Sequence, residues 1–280
     1  MRNSKIFLLG VGCQKGGTSW VHKQLQKCEN VNLGFRKEYH VFDTVYTPRV
    51  YNDKLSLINN LKRADFSKTM PSNLLRRLLF LEDQSVYFNY FNNLWLQNEK
   101  TSIVGDITPS YSGLSSDHFG AIKRGLENLD FKVKIIFLMR DPVERIWSAI
   151  RMTKRKNQSF NEFADELLIN QTYTTYKCEI RTRYDLTIKN LEKVFNKEDV
   201  FYCLYEELFS VKSINKMTSF LGVNAERFDS KEYHNVSEKS NLLSDSISRE
   251  VAKHYSSVYH FVDNRFSIRD LWNSSRFVLD

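Results

Sequence analysis

The segment near the N-terminus that most constrains the fold combines an apolar strand, a glycine-rich loop and a helix. Ile6–Gly12 is a continuous apolar run, typical of a strand buried on both faces of a parallel sheet. The loop GVGCQKGGTSW follows, and from Thr18 the apolar residues take helical spacing, with Val21, Leu25 and Cys28 on one face. A glycine-rich turn that enters a helix exposes backbone N–H groups and the positive end of the helix dipole, and both bind phosphate. The sequence therefore predicts an anion-binding loop.

The remainder of the chain alternates strand-like and helical patterns. Short apolar runs at 101–105, 133–139 and 200–204 predict strands, and helical spacing separates them. Strands that alternate with helices pair in parallel. The range 52–98 is rich in leucine and aromatic residues and predicts a helical excursion from the sheet. We therefore expect 1–280 to form a single α/β domain, a three-layer P-loop-like fold with a central parallel β-sheet flanked by helices.

Charge and cysteine usage limit the function classes. The formal net charge is +8, and the range 123–156 alone holds ten Lys or Arg residues against four acids. This range favours an anionic partner, although a basic face that binds a polyanion without catalysis would carry the same charge. The four cysteines form no CxxC pair and no zinc-like cluster, which favours a reducing compartment and the cytoplasm. No run of about 20 apolar residues exists, so we expect no transmembrane segment.

The loop resembles a nucleotide-binding Walker A motif without matching it. Its glycines have the Walker spacing, but Thr18 occupies the position of the obligatory lysine, and the lysine lies inside the loop at Lys15. A nucleotide-hydrolysing enzyme or kinase also needs groups that hold magnesium, for which Ser19 and Asp106 are candidates. The displaced lysine argues against this reading, which stays open as an alternative.

A second anion signal lies in the segment IIFLMRDPVERIWSAIRM. Arg140 follows the predicted strand 133–139 directly, and the carboxyl ends of strands are where open α/β sheets bind ligands. Ser148 lies two turns into the helix that follows. The alternative for Arg140 is a structural ion pair with Asp141 or Glu144.

QKGGTSW and RDPVERIWS together resemble the sulfotransferases that use 3′-phosphoadenosine 5′-phosphosulfate as sulfuryl donor. The resemblance implies that the 5′-phosphate is held by Lys15, Gly16, Gly17, Thr18 and Ser19. It assigns the 3′-phosphate to Arg140 and Ser148. Trp20 occupies a position whose aromatic ring often packs on the adenine, with a core tryptophan as the alternative.

Two further segments resemble the heparan sulfate and glycan branch of that family and its bacterial-type relatives, and a third, CLYEELF, resembles a more common element. In RKEYHVFD the resemblance makes Glu38 the general base, and in GDITPSYSG it places Asp106 at the substrate cleft. The latter segment lacks the lysine that family members often carry after the acid. In CLYEELF the resemblance places Tyr205 near the adenine, and SEKSN at 237–241 is a candidate for a late donor loop. The helical range 52–98 is expected to shape the acceptor side of the cleft.

The implied chemistry suits these residue types. Sulfuryl transfer moves an electron-poor group in line between two oxygens, so Lys15 can neutralise the developing charge without a metal ion. A hydroxyl of the acceptor, less readily an amine, loses its proton to Glu38, for which His40 and Asp106 are rivals. Proximity to Lys15 is expected to keep Glu38 ionised. The expected partners are the donor, whose product is 3′,5′-adenosine bisphosphate, and a glycan or small acceptor, with no nucleic acid.

Overall fold

A five-stranded parallel sheet lies at the centre of the part of the chain that the computed structural model describes, residues 4–64, 71–232 and 243–279. Its strands are β1 (Ile6–Gly12), β2 (Val31–Asn32), β3 (Ile103–Ile107), β4 (Lys132–Met139) and β5 (Val200–Leu204). They lie in the order β2-β3-β1-β4-β5, and every neighbouring pair is parallel. The predicted fold class, an α/β fold with a central parallel sheet, is confirmed.

Helices connect and cover the strands. They are α1 (Thr18–Gln26), α2 (Phe42–Tyr46), α3 (Lys54–Lys62), α4 (Ser72–Glu82), α5 (Gln84–Leu96), α6 (Ser116–Glu127), α7 (Pro142–Lys156), α8 (Asp165–Thr172), α9 (Tyr176–Glu179), α10 (Tyr184–Glu192), α11 (Val211–Leu221), α12 (Asp245–His254) and α13 (Ser256–Phe266). A short 3-10 helix, Pro109–Gly113, forms the turn after β3. Within the described ranges, no helix combines the length and the apolar character needed to cross a bilayer.

Both faces of the sheet are buried, which explains the unbroken apolar run of β1. Phe7 and Leu9 pack into a large cluster with α5, α6, α7 and α10, whereas Ile6 and Leu8 pack on the opposite face with α1 and α11. Successive side chains of a strand point to opposite faces, so a strand covered by helices on both sides must be apolar throughout. Because β1 pairs in parallel with both β3 and β4, the carboxyl ends of these three strands meet at one edge of the sheet.

The elements agree with the sequence pattern except at short or shifted segments. The strand expected at 101–105 lies two residues later, at Ile103–Ile107. Strand β2 was not predicted, because two residues give no measurable alternation. The range 52–98 contains α3, α4 and α5, and the candidate donor loop SEKSN at 237–241 lies outside the described residues.

Substitution of Gly105 by alanine tests the close approach of β1 and β3. A Cβ atom at Gly105 would lie 2.3 Å from the carbonyl oxygen of Leu8, its partner in the register, and backbone in the middle of a sheet cannot move aside. We expect Gly105→Ala to lower the free energy of unfolding by about 1–3 kcal/mol, measured by urea denaturation.

Gly120→Ala is the matched control for this measurement. Gly120 lies in α6, and the nearest atom to its added methyl group is the flexible end of Arg124 at 3.3 Å. Within a helix, replacement of glycine by alanine raises the free energy of unfolding by about 0.5–1 kcal/mol. Equal stability of Gly105→Ala and the unsubstituted protein would contradict the packing described for β1 and β3.

Candidate active site

A cleft of about 670 Å³ opens at the carboxyl edge of the sheet. It is bounded by the loop after β1, the segment 36–40, the turn after β3, one face of α7 and the residues that follow β5. Among the described residues that line it, seven are cationic: Lys15, Arg36, Lys37, Arg140, Arg155, Lys156 and Arg181. Glu38 is the one carboxylate in the same described lining. The charge of the cleft matches an anionic ligand.

The loop after β1 leaves the start of α1 open to the cleft. Gly17 is the N-cap residue of α1, with φ 95°, and no side chain caps the helix. A Cβ atom at Gly17 would lie 2.4 Å from Leu208, so the position requires glycine for space as well as for conformation. The first N–H groups of a helix have no partner within it, and Thr18 and Ser19 line the cleft. This helix end can therefore hold an anion.

Lys15 and Gly16 have different roles in the loop. Lys15 lines the cleft with φ 71°, in the left-handed region that a non-glycine residue seldom adopts. Burial, followed by the charges of Arg155 and Arg140, lowers the pKa of Lys15 to about 8. Gly16 is buried behind the loop, where a Cβ atom would lie 2.7 Å from Cys13, and it does not line the cleft. Gly16 therefore lets the loop fold, and Lys15 faces the ligand.

Arg140 is fixed at the end of β4 by three contacts. Its guanidinium lies 4.3 Å from the centre of the Tyr205 ring, and Nη1 donates to the Lys15 carbonyl oxygen at 3.3 Å. Nη2 donates to Glu144 at 3.1 Å, so the structural ion pair exists in addition to the position at the cleft. The Nε atom of Arg140 is buried and has no hydrogen-bond partner among the described residues. Asp141 is not its partner, because that carboxylate caps α7 through the N–H of Val143.

Helix α7 presents one face to the cleft. Ser148, Met152 and Arg155 line it at spacings of four and three residues, which place side chains on the same side of a helix. Only three basic residues of the range 123–156 line the cleft, namely Arg140, Arg155 and Lys156. The basic range is therefore not a continuous cationic face.

The two aromatic residues assigned to the adenine differ in exposure. Tyr205 is half-buried and lines the cleft beneath Arg140. Trp20 also borders the cleft but is only 2% exposed, and its indole N–H donates to the Asp229 carbonyl oxygen at 3.1 Å. Its ring packs edge-on against Phe209 and Phe228. The core alternative for Trp20 therefore describes it better than a stacking surface does.

Glu38 and His40 are brought together in the cleft with a third group, Asp43. The His40 Nε2 atom lies 3.2 Å from a Glu38 oxygen, and Nδ1 lies 2.7 Å from the buried carboxylate of Asp43. His40 has φ 55° and stacks on Tyr51 with 3.6 Å between ring centres. Asp43 and Tyr51 were not assigned from the sequence, although Asp43 follows His40 by three residues in RKEYHVFD.

The charges of this chain of groups support one another. Burial opposes ionisation of Glu38, but the hydrogen bond from His40 and the ammonium of Lys37 outweigh it and lower the pKa of Glu38 to about 2. Burial likewise opposes charge on His40, and its bonds to Asp43 and Glu38 raise its pKa in spite of that. Glu38 is ionised as expected, but the expected cause was wrong, since His40 and Lys37 supply the stabilising charge rather than Lys15.

Asp106 does not contact the cleft, contrary to the expectation for a substrate-binding residue or a base. It is 1% exposed and accepts hydrogen bonds from the hydroxyls of Thr108 (2.6 Å), Tyr111 (2.7 Å) and Tyr87 (3.0 Å). Burial raises the pKa of Asp106 to about 6 in spite of these donors. The sequence placed it correctly at the end of a strand but could not show that three hydroxyls cover it.

The helical range 52–98 supports the cleft from behind. None of its described residues, 52–64 and 71–98, lines the cleft itself, and the expectation that the range shapes the acceptor side stays a prediction. Arg77 of α4 pairs with Asp53 and donates to the carbonyl oxygen of Tyr39 at 3.3 Å. The range therefore supports the segment that contains Glu38 through a hydrogen bond to the backbone of that segment.

Arg181, from the loop between α9 and α10, also lines the cleft, and no sequence motif marks it.

Comparison with known proteins gives a family match for the chain. The family model of the sulfotransferase family matches residues 7–227. A sulfotransferase from Alicyclobacillus acidocaldarius has a similar fold, with a TM-score of 0.60 and 17% identity over 98% of this chain and 99% of that one. The sulfotransferase domain of the Synechococcus PCC 7002 olefin synthase matches with a TM-score of 0.45 and 15% identity over 92% and 89%. No curated protein matches the sequence significantly. The match to more than half of the chain establishes that it belongs to the sulfotransferase family, a family of sulfuryl-transferring enzymes.

Proposed function

We propose that the protein transfers the sulfuryl group of 3′-phosphoadenosine 5′-phosphosulfate to a hydroxyl, rather than an amine, of a glycan or small molecule. One observation carries the proposal. A single cleft joins the uncapped start of α1, the cations Lys15 and Arg140, and the ionised carboxylate of Glu38. The product of the donor is 3′,5′-adenosine bisphosphate.

The donor fits the residues present at one end of the cleft. The uncapped N–H groups at Thr18 and Ser19, together with Lys15, suit the 5′-phosphosulfate. Arg140 and Ser148 suit the 3′-phosphate, and the unpartnered Nε of Arg140 supports a ligand there. The ring of Tyr205 offers an adjacent surface for the adenine.

The proposed reaction breaks the bond between sulfur and the bridging phosphate oxygen, and that oxygen leaves with the electron pair. A new bond forms between sulfur and the acceptor oxygen, whose proton passes to Glu38. Lys15 offsets the charge that grows on the departing phosphate, a role that requires no metal ion. Catalysis then rests mainly on positioning and on charge stabilisation. His40 holds Glu38 from one side and in turn is held by Asp43.

The remaining parts of the proposal concern the setting. A glycan acceptor is supported by the segment RKEYHVFD, which resembles the glycan branch of the family. A cytoplasmic location is supported by the four cysteines, all of which are buried with free thiols. We further propose that 1–280 acts as one catalytic domain without a nucleic-acid partner, because its basic range is divided between the cleft and other surfaces.

Calorimetric titration with 3′,5′-adenosine bisphosphate in EDTA tests the proposed function, with ATP titrated in parallel and magnesium then added to both. We expect micromolar binding of the bisphosphate without metal and little binding of ATP. Binding of ATP only with magnesium would favour the kinase alternative. Binding of neither nucleotide would favour the non-catalytic basic module.

Arg140→Met tests recognition of the 3′-phosphate. We expect affinity for the bisphosphate to fall about 10- to 100-fold, since a charge-assisted hydrogen bond is lost. Affinity for adenosine 5′-monophosphate should stay unchanged. Arg124→Met removes one exposed charge of α6 outside the cleft and serves as the control. Equal losses for both nucleotides would show that Arg140 supports the loop rather than the 3′-phosphate.

The pKa of Lys15 predicts how donor binding depends on pH. A lysine is charged below its pKa, so affinity for the bisphosphate should fall as the pH rises through about 8 and recover on return to lower pH. Lys15→Arg keeps its charge throughout this range and should bind with little dependence on pH. Calorimetric titrations between about pH 6.5 and 9.5 measure both proteins. An unchanged pH dependence in Lys15→Arg would assign the titration to another group.

Glu38→Gln tests the general base. Glutamine keeps the shape of the side chain but cannot accept the proton, so we expect turnover to fall about 100-fold or more. Turnover is measured as release of the bisphosphate with the best acceptor from a screen of sugar hydroxyls. Binding of the bisphosphate should change less than about two-fold, within the scatter of neutral surface changes. Glu127→Gln on α6 is the control, and near-normal turnover of Glu38→Gln would leave His40 as the base.

A further inference from the structure

The buried guanidinium of Arg181 stands out in the cleft because no carboxylate of the described residues forms an ion pair with it, although Asp43 and Glu38 lie near enough to act on its charge. Arg181 is 7% exposed and lines the cleft. Its Nη2 atom donates to the Ser110 hydroxyl at 3.1 Å, and its Nε atom is buried without a hydrogen-bond partner. Within the described ranges, no carboxylate lies at ion-pair distance from it. Four of its five N–H donors are thus unused by these residues.

An anion bound in the cleft would stabilise an arginine in this state. Burial, followed by the charge of Arg145, lowers the pKa of Arg181, and the charges of Asp43 and Glu38 oppose this shift without reversing it. A guanidinium nevertheless stays protonated at any physiological pH. A buried cation without a counter-ion is costly, and chains seldom keep one without a ligand or a partner. Ser110 holds the guanidinium in place without neutralising it. The site is therefore built for an oxyanion.

The position of Arg181 assigns that anion to the acceptor rather than to the donor. Ser110 belongs to the turn after β3, and this turn is hydrogen-bonded to the segment of the proposed base. The N–H of Tyr39 donates to the Thr108 hydroxyl at 3.0 Å, and the N–H of Val41 donates to the Tyr111 hydroxyl at 3.2 Å. The same turn is thus hydrogen-bonded both to Arg181 and to the segment that contains Glu38 and His40. The cations proposed for the donor lie on the loop after β1 and after β4 instead.

We propose that Arg181 forms an anion subsite for the acceptor, so that the molecule that receives the sulfuryl group carries an oxyanion close to the reacting hydroxyl. This inference rests on the proposed function. A carboxylate, a sulfate ester and a phosphate ester share the geometry that a guanidinium binds with two parallel hydrogen bonds. Lys37, which pairs with Glu38 and lines the same cleft, adds further positive charge to it.

Binding of matched sugars to the complex with 3′,5′-adenosine bisphosphate tests the subsite. The probes are glucose and glucuronate, which differ in a hydroxymethyl and a carboxylate, with glucose 6-sulfate and glucose 6-phosphate as the other anions. We expect at least one anion to bind about ten-fold or more tightly than glucose, since a charge-assisted pair is added. The preferred anion identifies the source of the charge.

Three variants locate the preference. Arg181→Met should reduce the affinity for the preferred anion to that for glucose, and Arg181→Lys should keep part of the preference because the charge remains without the planar fork. Arg183→Met is the matched control. Arg183 lies two residues away, pairs with Asp185 at 2.8 and 2.9 Å and does not line the cleft. Affinity for the bisphosphate should be the same in all four proteins.

The outcomes separate this inference from the proposed function. Failure of the unsubstituted protein to bind the bisphosphate would overturn the proposed function itself. Bisphosphate binding with no preference for any anion over glucose would overturn the subsite alone, whether or not Arg181→Met folds. Weaker bisphosphate binding in Arg181→Met, with the anion preference kept, would move Arg181 to the donor site. An equal loss of the anion preference in Arg183→Met would show that the preference depends only on the positive charge of the region. That result would also overturn the subsite.

Discussion

The buried carboxylate of Asp106 is the group on which the arrangement of the cleft depends. Hydroxyls of Tyr87, Thr108 and Tyr111 donate to it, so one side chain connects α5, the end of β3 and the turn that follows. Thr108 and Tyr111 then accept N–H groups from the segment that carries Glu38. Hydrogen bonds from surrounding donors stabilise a buried carboxylate. Loss of any one donor would leave part of the carboxylate without a hydrogen-bond partner. The base segment, which has no regular secondary structure before α2, is thus held against the sheet through a polar network rather than through strand pairing.

Positive charge is concentrated in the cleft beyond what the chain itself neutralises. Burial, followed by repulsion from the cations around it, lowers the pKa of Lys15. Arg181 is buried with no carboxylate at ion-pair distance among the described residues. Such an arrangement is unfavourable for the empty protein and becomes favourable when anions bind. The left-handed backbone at Lys15 and His40 is a further local cost at the same place, and strain of this kind gathers where ligands act. The cleft is thereby preorganised for charged ligands at the expense of stability.

The features that the sequence could reveal are those encoded locally. The change from an apolar run to helical spacing located β1 and α1, and the rule for strand ends located Arg140 at the ligand edge. Contacts between residues that lie far apart in the chain produce no local pattern in the sequence. Arg181 enters the cleft from a loop more than seventy residues beyond Ser110, to which it is bonded. The burial of Asp106 likewise depends on Tyr87 from another helix. The pattern can place a residue at a strand end, but only packing decides whether that residue meets solvent.

Two carboxylates in this region differ in pKa because their donors differ. Neutral hydroxyls surround Asp106 and do not compensate for its burial, whereas an imidazole and an ammonium bind Glu38 and lower its pKa to about 2. In the proposed reaction Glu38 is therefore ionised and available to accept a proton but is a weak base, so charge stabilisation at the departing phosphate is expected to supply most of the rate enhancement. In the proposed reaction the acceptor proton passes to Glu38. The carboxylate of Asp43, 2.7 Å from the other nitrogen of His40, still holds the imidazole in place while Glu38 carries that proton.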